Sequence, residues 1–345
     1  MPRRFRFRQV DVFTERPLAG NPLAVFPEAE GLDDGEMQAI AREMNLSETT
    51  FVLPPTHAGR AQGADYRMRI FTPRTELPFA GHPSIGTAWV LASEGRFPVK
   101  SPRTQVRQEI SIGVLPLTIA VLGDPSAGWP GGQEVDIQRG TTAPMLGEVT
   151  MTQAQTEISD EIPEDQLDEL CAALEVPARY LGWQEVDGRY HPVSEARPTV
   201  VSTGLPFLVV PFRDRGLLSD VDAERTADVG RLAAEYGCDS AALVAAGSSG
   251  EIADADVHAR VFVHPRSGIT EDPATGSAAG PIAVYLGRLL GIRGRTYRVI
   301  IEQGIEVGRP SRLVAEVDFD EAGVPDNVRV SGATVPVIEG WIELP

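Results

Sequence analysis

The stretch Glu76-Leu77-Pro78-Phe79-Ala80-Gly81 recurs near the other end of the chain as Glu271-Asp272-Pro273-Ala274-Thr275-Gly276. Both copies follow the pattern E-x-P-x-(A/T)-G. An apolar run that opens on arginine precedes each copy, Arg69-Ile70-Phe71 in the first and Arg260-Val261-Phe262 in the second. A long apolar stretch follows each copy. The repeat therefore predicts two similar halves, each with a strand that leads through a glycine turn into a helix.

Both predicted helices are rich in apolar residues. In the first, Ile85, Ala88 and Ala92 share one face, and Pro83 suits the first turn, where its missing N–H is no loss. The second, from about Ser277 to Leu290, is apolar nearly all round and should be buried. Short predicted strands surround both helices in the sequence. We therefore expect an α+β fold with two pseudo-symmetric lobes, each a strand-rich, barrel-like shell around a central helix.

The rest of the chain divides around these helices. A helix is predicted from Asp33 to near Asn45, and Glu48 then lies where this helix gives way to the strand that contains Phe51. A stretch rich in Gly and Pro, without periodicity, indicates a linker. The predicted division is a first lobe at 1–124 completed by C-terminal strands at 326–345, a linker at 125–146 and a second lobe at 147–325.

Composition excludes several classes of protein. With 49 acidic and 31 basic residues, the formal charge of −18 argues against nucleic acid as a partner. Only two cysteines are present, far apart, so no disulfide framework is indicated. No apolar run approaches the roughly 20 residues of a membrane span. We expect a cytoplasmic protein without a membrane or nucleic-acid partner.

The duplicated turns predict where an anion would bind. Glycine-rich turns at helix N-termini present free backbone N–H groups, which attract anions. A cleft between the lobes would then bind a carboxylate, with His82 and Ser277 on its two sides.

Several motifs together resemble the PhzF-like family, named for phenazine biosynthesis. They occur in the family's order over nearly the whole chain. They are Gly20-Asn21-Pro22-Leu23-Ala24-Val25, Asn45-Leu46-Ser47-Glu48-Thr49-Thr50-Phe51, Arg69-Ile70-Phe71-Thr72-Pro73, Gly81-His82-Pro83-Ser84-Ile85-Gly86-Thr87-Ala88, Glu271-Asp272-Pro273-Ala274-Thr275-Gly276-Ser277-Ala278, Gln303-Gly304 and Gly308-Arg309-Pro310-Ser311.

The resemblance implies a fold of the diaminopimelate epimerase type, a homodimer, a small carboxylated substrate, and neither a metal nor an organic cofactor. The family's named member isomerises a dihydro-hydroxyanthranilate by moving a proton. By the same resemblance, the acid/base glutamate falls on Glu48, and the other catalytic residues on His82, Asp272 and Ser277. The substrate-binding residues would be Gly81, Gly276, Ser47 and Asn21.

The chemistry fits these residue types. A proton that moves between carbon atoms needs a group that takes it and returns it, and burial raises the pKa of a carboxyl toward a useful range. Glu48 would be that group. Backbone N–H groups beside Gly81 and Gly276 would hold the substrate carboxylate and stabilise the electron density left after deprotonation.

Structural roles remain as alternatives. Glu48 could cap a strand, and His82, Asp272 and Ser277 could cap helix N-termini. The repeated glutamates, Glu76 and Glu271, are expected to brace turns rather than to react.

Other functions stay open at this point. One is a non-catalytic scaffold that binds a small acid or a protein. Another is an epimerase or racemase, although related epimerases use a cysteine in each glycine turn and this chain has none there. Phosphate-loop, zinc-helix and nucleophile-elbow motifs are absent from the sequence.

Overall fold

The computed structural model describes residues 2–122, 145–183, 196–238, 240–263 and 270–345. The strands are β1 (Arg3–Val12), β2 (Asn21–Phe26), β3 (Glu48–Leu53), β4 (Tyr66–Phe71), β5 (Glu76–Leu77), β6 (Arg103–Ile110), β7 (Gly113–Val121), β8 (Leu146–Thr152), β9 (Glu157–Glu161), β10 (Thr199–Ser202), β11 (Pro206–Phe212), β12 (Ser240–Ala246), β13 (Val257–Val263), β14 (Glu271–Asp272), β15 (Arg295–Gln303), β16 (Ser311–Phe319), β17 (Pro325–Gly332) and β18 (Thr334–Leu344). The α-helices are α1 (Asp34–Met44), α2 (His57–Ala61), α3 (Gly81–Ser93), α4 (Glu164–Leu174), α5 (Arg215–Ser219), α6 (Thr226–Glu235) and α7 (Gly276–Leu289).

Local sequence signals account for the helix that precedes Glu48. Asp33 caps α1 by accepting from the backbone N–H of Glu36, and the Glu36 side chain accepts from the backbone N–H of Asp33. Asn45 ends the helix in the left-handed conformation, which asparagine tolerates. The predicted bounds of this helix are therefore correct, and β3 begins at Glu48 shortly after it.

The strands pair in an order that repeats in the two halves. Across the sheet the order is β18-β1-β2-β3-β4-β6-β7-β8-β17-β16-β15-β13-β12-β11-β10-β9. Within it, β2–β3 and β4–β6 are parallel pairs, as are β11–β12 and β13–β15 at the matching places of the other half. The order reads the same from either end around the β8–β17 pair. The predicted pseudo-symmetry is confirmed.

Each half of the sheet curls around one helix. The strands β1, β2 and β3 contact α3, and so do β7 and β8 from the other edge of the same lobe. In the second lobe α7 is contacted by β10 to β12 and by β15 to β17. The two helices are almost wholly buried, as their apolar sequences predict. This confirms the α+β class with a strand-rich shell around a central helix.

The boundaries between the lobes differ from the predicted ones. The strand β8, residues 146–152, pairs with β7 and packs on α3, whereas β17, residues 325–332, pairs with β16 and packs on α7. The sequence had assigned these segments to the opposite lobes. The C-terminal strand β18 pairs with β1, as expected for a strand that completes the first lobe. The predicted linker, 125–146, lies outside the described residues except for its last two positions.

The two central helices meet end to end at their N-termini. A Cβ added to Gly81 would lie 2.8 Å from the carbonyl carbon of Gly276 and 2.8 Å from the backbone nitrogen of Ser277. Backbone packs directly on backbone here, which only glycine permits. The turns that contain the repeat therefore face each other.

Among the helices in the described ranges, none combines the length and the apolar character that crossing a bilayer requires.

Candidate active site

The cleft between the lobes contains most of the residues that the sequence singled out. A cavity of about 560 Å³ opens there. Its wall includes all but one of the predicted site residues: Ser47, Glu48, Gly81, His82, Asp272, Gly276 and Ser277. The exception, Asn21, is fully buried behind the wall.

Glu48 is the first residue of β3, and its side chain is only 15% exposed. Burial, and secondarily the negative charge of Asp272, raise the pKa of the Glu48 carboxyl well above its usual value. A carboxyl group in this condition can exchange a proton near neutral pH.

His82 lies in the first turn of α3 and faces Glu48. Burial lowers the pKa of its imidazole to about 3, so the ring is neutral at physiological pH. The side-chain nitrogen of Asn21 lies 3.2 Å from His82 Nδ1 and donates to two obligate acceptors, Asp272 Oδ1 and the carbonyl of Ala274, each at 2.8 Å. Because the amide nitrogen of Asn21 cannot accept a hydrogen bond, a hydrogen on Nδ1 would have no acceptor there, so the ring hydrogen belongs on Nε2, the nitrogen nearest Glu48.

The contact between Glu48 and His82 is close but incomplete. Glu48 Oε2 and His82 Nε2 lie 3.2 Å apart. Both atoms are buried, and neither makes a hydrogen bond of acceptable direction to any described residue. A buried polar atom without a hydrogen-bond partner lowers stability. One explanation for such an atom in a native structure is a catalytic role. Two such atoms, facing each other at the cavity wall, indicate a reactive site.

Asp272 is held rigidly on the opposite side of the cleft. It accepts from Asn21 through Oδ1 and from the Thr275 hydroxyl through Oδ2 at 2.6 Å. Gln303 donates to the Asp272 carbonyl at 2.6 Å and accepts from the Thr275 backbone N–H at 3.0 Å. Burial raises the pKa of the Asp272 carboxyl, while its hydrogen bonds to Thr275 and Asn21 act in the opposite direction.

The helix N-termini complete the site. Neither α3 nor α7 begins with a side-chain cap. Backbone N–H groups of the first helical turn have no acceptor within their own helix, and the helix dipole adds positive potential. Since Gly81 and Gly276 abut, both sets of N–H groups lie beside one cavity, and this is the arrangement that binds anions.

The repeated glutamates brace the turns. Glu76 accepts two hydrogen bonds from Arg69, each at 2.7 Å, and Glu271 accepts two from Arg260, at 2.9 and 2.7 Å. The arginine within each strand, β4 or β13, thus binds the glutamate of the turn that follows. Neither glutamate lines the cleft cavity.

Sequence reasoning missed three residues that shape the site. Thr275 and Gln303 fix Asp272, and Arg309 donates to the carbonyl of Gly20, at 2.7 Å, next to Asn21. All three stand inside motifs that the resemblance quotes, but the partners of Gln303 and Arg309 are 31 and 289 positions away, and nothing in the sequence singles out the contact of Thr275 with Asp272 within one turn. Their position in the motifs was the only available signal.

No group of three or more His, Cys, Asp or Glu side chains in the described part of the chain is arranged to hold a metal ion.

A family model described as phenazine biosynthesis-like protein matches residues 10–340. The chain belongs to the phenazine biosynthesis-like family. Among curated members of this family, trans-2,3-dihydro-3-hydroxyanthranilate isomerase of Pseudomonas aeruginosa is 32% identical over 336 residues, which cover 97% of this chain and 98% of that protein. The chain is thus a member of a family of isomerases.

Solved structures show the same fold. A phenazine biosynthesis protein of the PhzF family from Bacillus anthracis superposes with a TM-score of 0.78 at 24% identity, over 99% of both chains. A hydroxyproline epimerase from Agrobacterium vitis gives a TM-score of 0.59 at 13% identity, over 99% of this chain and 93% of that one. Both likenesses concern the fold alone.

Proposed function

We propose that the protein is a cofactor-independent isomerase that moves a proton between carbon atoms of a small carboxylated substrate, with Glu48 as the general acid and base. The observation that carries the proposal is the Glu48–His82 pair: two buried polar atoms 3.2 Å apart, without hydrogen-bond partners in the described structure, in a cleft between two uncapped helix N-termini. The family's isomerase members support it.

The proton transfer follows from the charges at the site. Ionised Glu48 takes a proton from an acidified C–H bond, and the electron pair of that bond moves into the substrate's conjugated system. Protonated Glu48 then returns the proton to another carbon, so no net redox change occurs. His82 Nε2–H faces Glu48 and stabilises the charge of its carboxylate before the first step and again after the second.

Substrate binding falls to the other polar groups. N–H groups at the starts of α3 and α7 would receive the carboxylate and the electron density that develops after deprotonation. Asp272 retains free lone pairs beside its bonds to Asn21 and Thr275, and it would accept a hydrogen bond from an amino or hydroxyl group of the substrate.

The test is exchange with solvent. The protein is incubated in deuterated water with a panel of small unsaturated and amino-substituted carboxylic acids, and label incorporation is followed by mass spectrometry. Glu48→Gln keeps the volume of the side chain but cannot exchange a proton. We expect its rate to fall about a thousandfold, within the roughly 10²–10⁴-fold range of general acid–base catalysis.

The matched control is Glu43→Gln, an identical change at an exposed position of α1. It should leave the exchange rate unaltered. An unchanged rate in Glu48→Gln would transfer the role of base to another group. If no acid gains deuterium while a small acid or protein still binds the cleft, the non-catalytic scaffold is the better description. Label at a stereocentre with inversion, rather than at a new carbon, would favour an epimerase.

A further inference from the structure

The two copies of the repeat differ in polarity where they face the cleft. At the second position of the pattern the first copy has Leu77 and the second has Asp272. At the fourth position, Phe79 corresponds to Ala274. The duplication has thus produced one apolar turn and one polar turn on opposite sides of the same cavity.

The apolar side continues into the second lobe. Leu205, Phe207 and Val263 line the cavity together with Leu77 and Phe79. Leu77, Leu205 and Val263 are only partly buried and pack against the main core with one side, so that their remaining apolar surface borders the cavity. Such surface is costly to leave in water, and an apolar ligand group would cover it.

The volume of the cavity also favours a ligand larger than one small ring. About 560 Å³ is several times the roughly 150 Å³ of an apolar cavity that holds one benzene molecule. A single small ring seated at Glu48, His82 and the helix N-termini would leave much of the apolar side unfilled.

Building on the proposed function, we propose that the substrate is an amphipathic carboxylic acid with an extended hydrocarbon portion, and that Leu77 and Leu205 determine this specificity. The carboxylate lies at the helix N-termini, and the hydrocarbon portion covers the apolar wall. Asp272 and Glu48 face the polar, reacting part of the molecule. The repeat thereby orients the substrate, because the first copy presents Leu77 where the second presents Asp272.

Calorimetric binding of two probes tests this inference without any need for turnover. The probes are benzoate and naphthalene-2-carboxylate, which differ by one fused ring. We expect the wild-type full chain to bind the naphthalene probe about tenfold more tightly or better, because four further ring carbons leave water. Leu205→Asn and Leu77→Asn should reduce this ratio to about threefold or less while benzoate binding stays within about twofold.

Ile112→Asn is the matched control, since Ile112 is an exposed apolar residue outside the cavity, and it should preserve the ratio. Equal affinity of the wild type for the two probes overturns the inference, and so does a ratio that the two cavity variants leave unaltered.

The result is independent of proton exchange. A preference for the larger probe in a protein that never incorporates deuterium would remove the proposed isomerase reaction but keep the ligand class. Deuterium incorporation confined to small polar acids, with no preference for the larger probe, would keep the proposed isomerase reaction but remove the ligand class.

Discussion

At the scale of single residues, the site is organised by carboxyl groups that burial keeps from ionising freely. Glu48 and Asp272 both have raised pKa values, and the charge of Asp272 contributes to the shift of Glu48. The neutral His82 places a single hydrogen toward Glu48. Protonation states in such a group are coupled, so a change at one residue should be visible in the titration of another.

Asp272→Asn should move the acidic limb of the pH profile to lower pH. A negative charge near Glu48 disfavours its ionised form, and removing that charge lowers the pKa of Glu48 toward its usual value. Activity that requires ionised Glu48 would then persist further into the acid range, although the maximal rate falls because a substrate contact is lost. The measurement is kcat/KM against pH for an acid that exchanges deuterium.

Ser277→Ala is the control for this variant because it changes the same cavity wall without changing charge. Its acidic limb should coincide with that of the wild type. A limb that stays in place or moves upward in Asp272→Asn would contradict the assignment of Glu48 as the titrating base.

Burial of Glu48 should also carry a cost in stability. Its carboxyl has a raised pKa in the folded state, so folding favours the protonated form, and stability declines as pH rises through that pKa. We expect Glu48→Gln to be more stable than the wild type by about 1–2 kcal/mol above neutral pH, because it removes a buried, poorly partnered charge. Denaturant unfolding should show this gain shrinking toward pH 4, and a gain of equal size at both pH values would contradict it.

At the scale of elements, function depends on how closely two helix N-termini approach. Gly81 in α3 and Gly276 in α7 permit backbone to lie against backbone, so the N–H groups of both first turns open into one cavity. Any side chain at this point would separate the helices. At Gly276 an added Cβ would meet the Phe13 ring at 2.8 Å and the backbone nitrogen of His82 at 3.3 Å, so both copies require glycine.

Gly81→Ala should therefore disturb both fold and ligand binding. The new Cβ would meet backbone atoms of the opposite helix at 2.8 Å, and no flexible side chain is available to yield. We expect a loss of about 1–3 kcal/mol in the free energy of unfolding, as for other overpacked sites. Benzoate binding, measured by calorimetry, should weaken about tenfold or more.

Gly35→Ala is the comparison at the start of a different helix, α1. There an added Cβ meets only the Asp33 side chain, at 3.3 Å, and alanine favours the helix. Stability should change little, and benzoate affinity should not change. Equal effects of the two substitutions would mean that the helix junction is not tightly packed.

Elements with local signals could be predicted from the sequence. The bounds of α1 follow from Asp33 and Asn45, and the starts of α3 and α7 follow from the repeat. The role of Asn21 could not be predicted as the structure has it. The resemblance implies that Asn21 binds substrate, whereas in the structure it is buried against His82 and Asp272, which are 61 and 251 positions away.

At the scale of the whole molecule, two lobes share one continuous strand order. The assignment of β8 to the first lobe and of β17 to the second could not be predicted, because it depends on packing against α3 and α7 and not on local propensity. Interactions that cross from one lobe to the other then fix the relative position of the two walls of the cleft. Asn21 is one such link, since it binds His82 of the first lobe and Asp272 of the second.

Arg309 provides a second link. From the second lobe it donates to the carbonyls of Ala19 and Gly20 and to Asp11 Oδ1, at 2.9, 2.7 and 2.6 Å. Asp11 is buried, with 1% of its side chain exposed. Burial raises the pKa of Asp11, and the charge of Arg309 only partly offsets that effect. The turn that carries Asn21 is therefore positioned by a cation from the opposite lobe.

Arg309→Met should destabilise the molecule in a pH-dependent way. The change leaves the ionised Asp11 buried without its counter-charge, which we expect to cost about 2–3 kcal/mol at neutral pH, below the range for fully buried pairs because Arg309 is 27% exposed. Loss of the cation raises the pKa of Asp11 further, so Asp11 becomes protonated as pH falls. The deficit in unfolding free energy should therefore shrink between pH 7 and pH 4.5.

Arg312→Met is the matched control. Arg312 is similarly exposed, at 29%, but its partner Asp254 is 56% exposed, so the loss of unfolding free energy should stay below about 1 kcal/mol. Denaturant unfolding of both variants at the two pH values is the measurement. Deuterium exchange should fall only in Arg309→Met, since of the two arginines only Arg309 donates to the turn that carries Asn21. An equal loss of unfolding free energy in the two variants would show that the link between the lobes does not depend on the buried Asp11. A loss for Arg309→Met that is larger at pH 4.5 than at pH 7 would show the same.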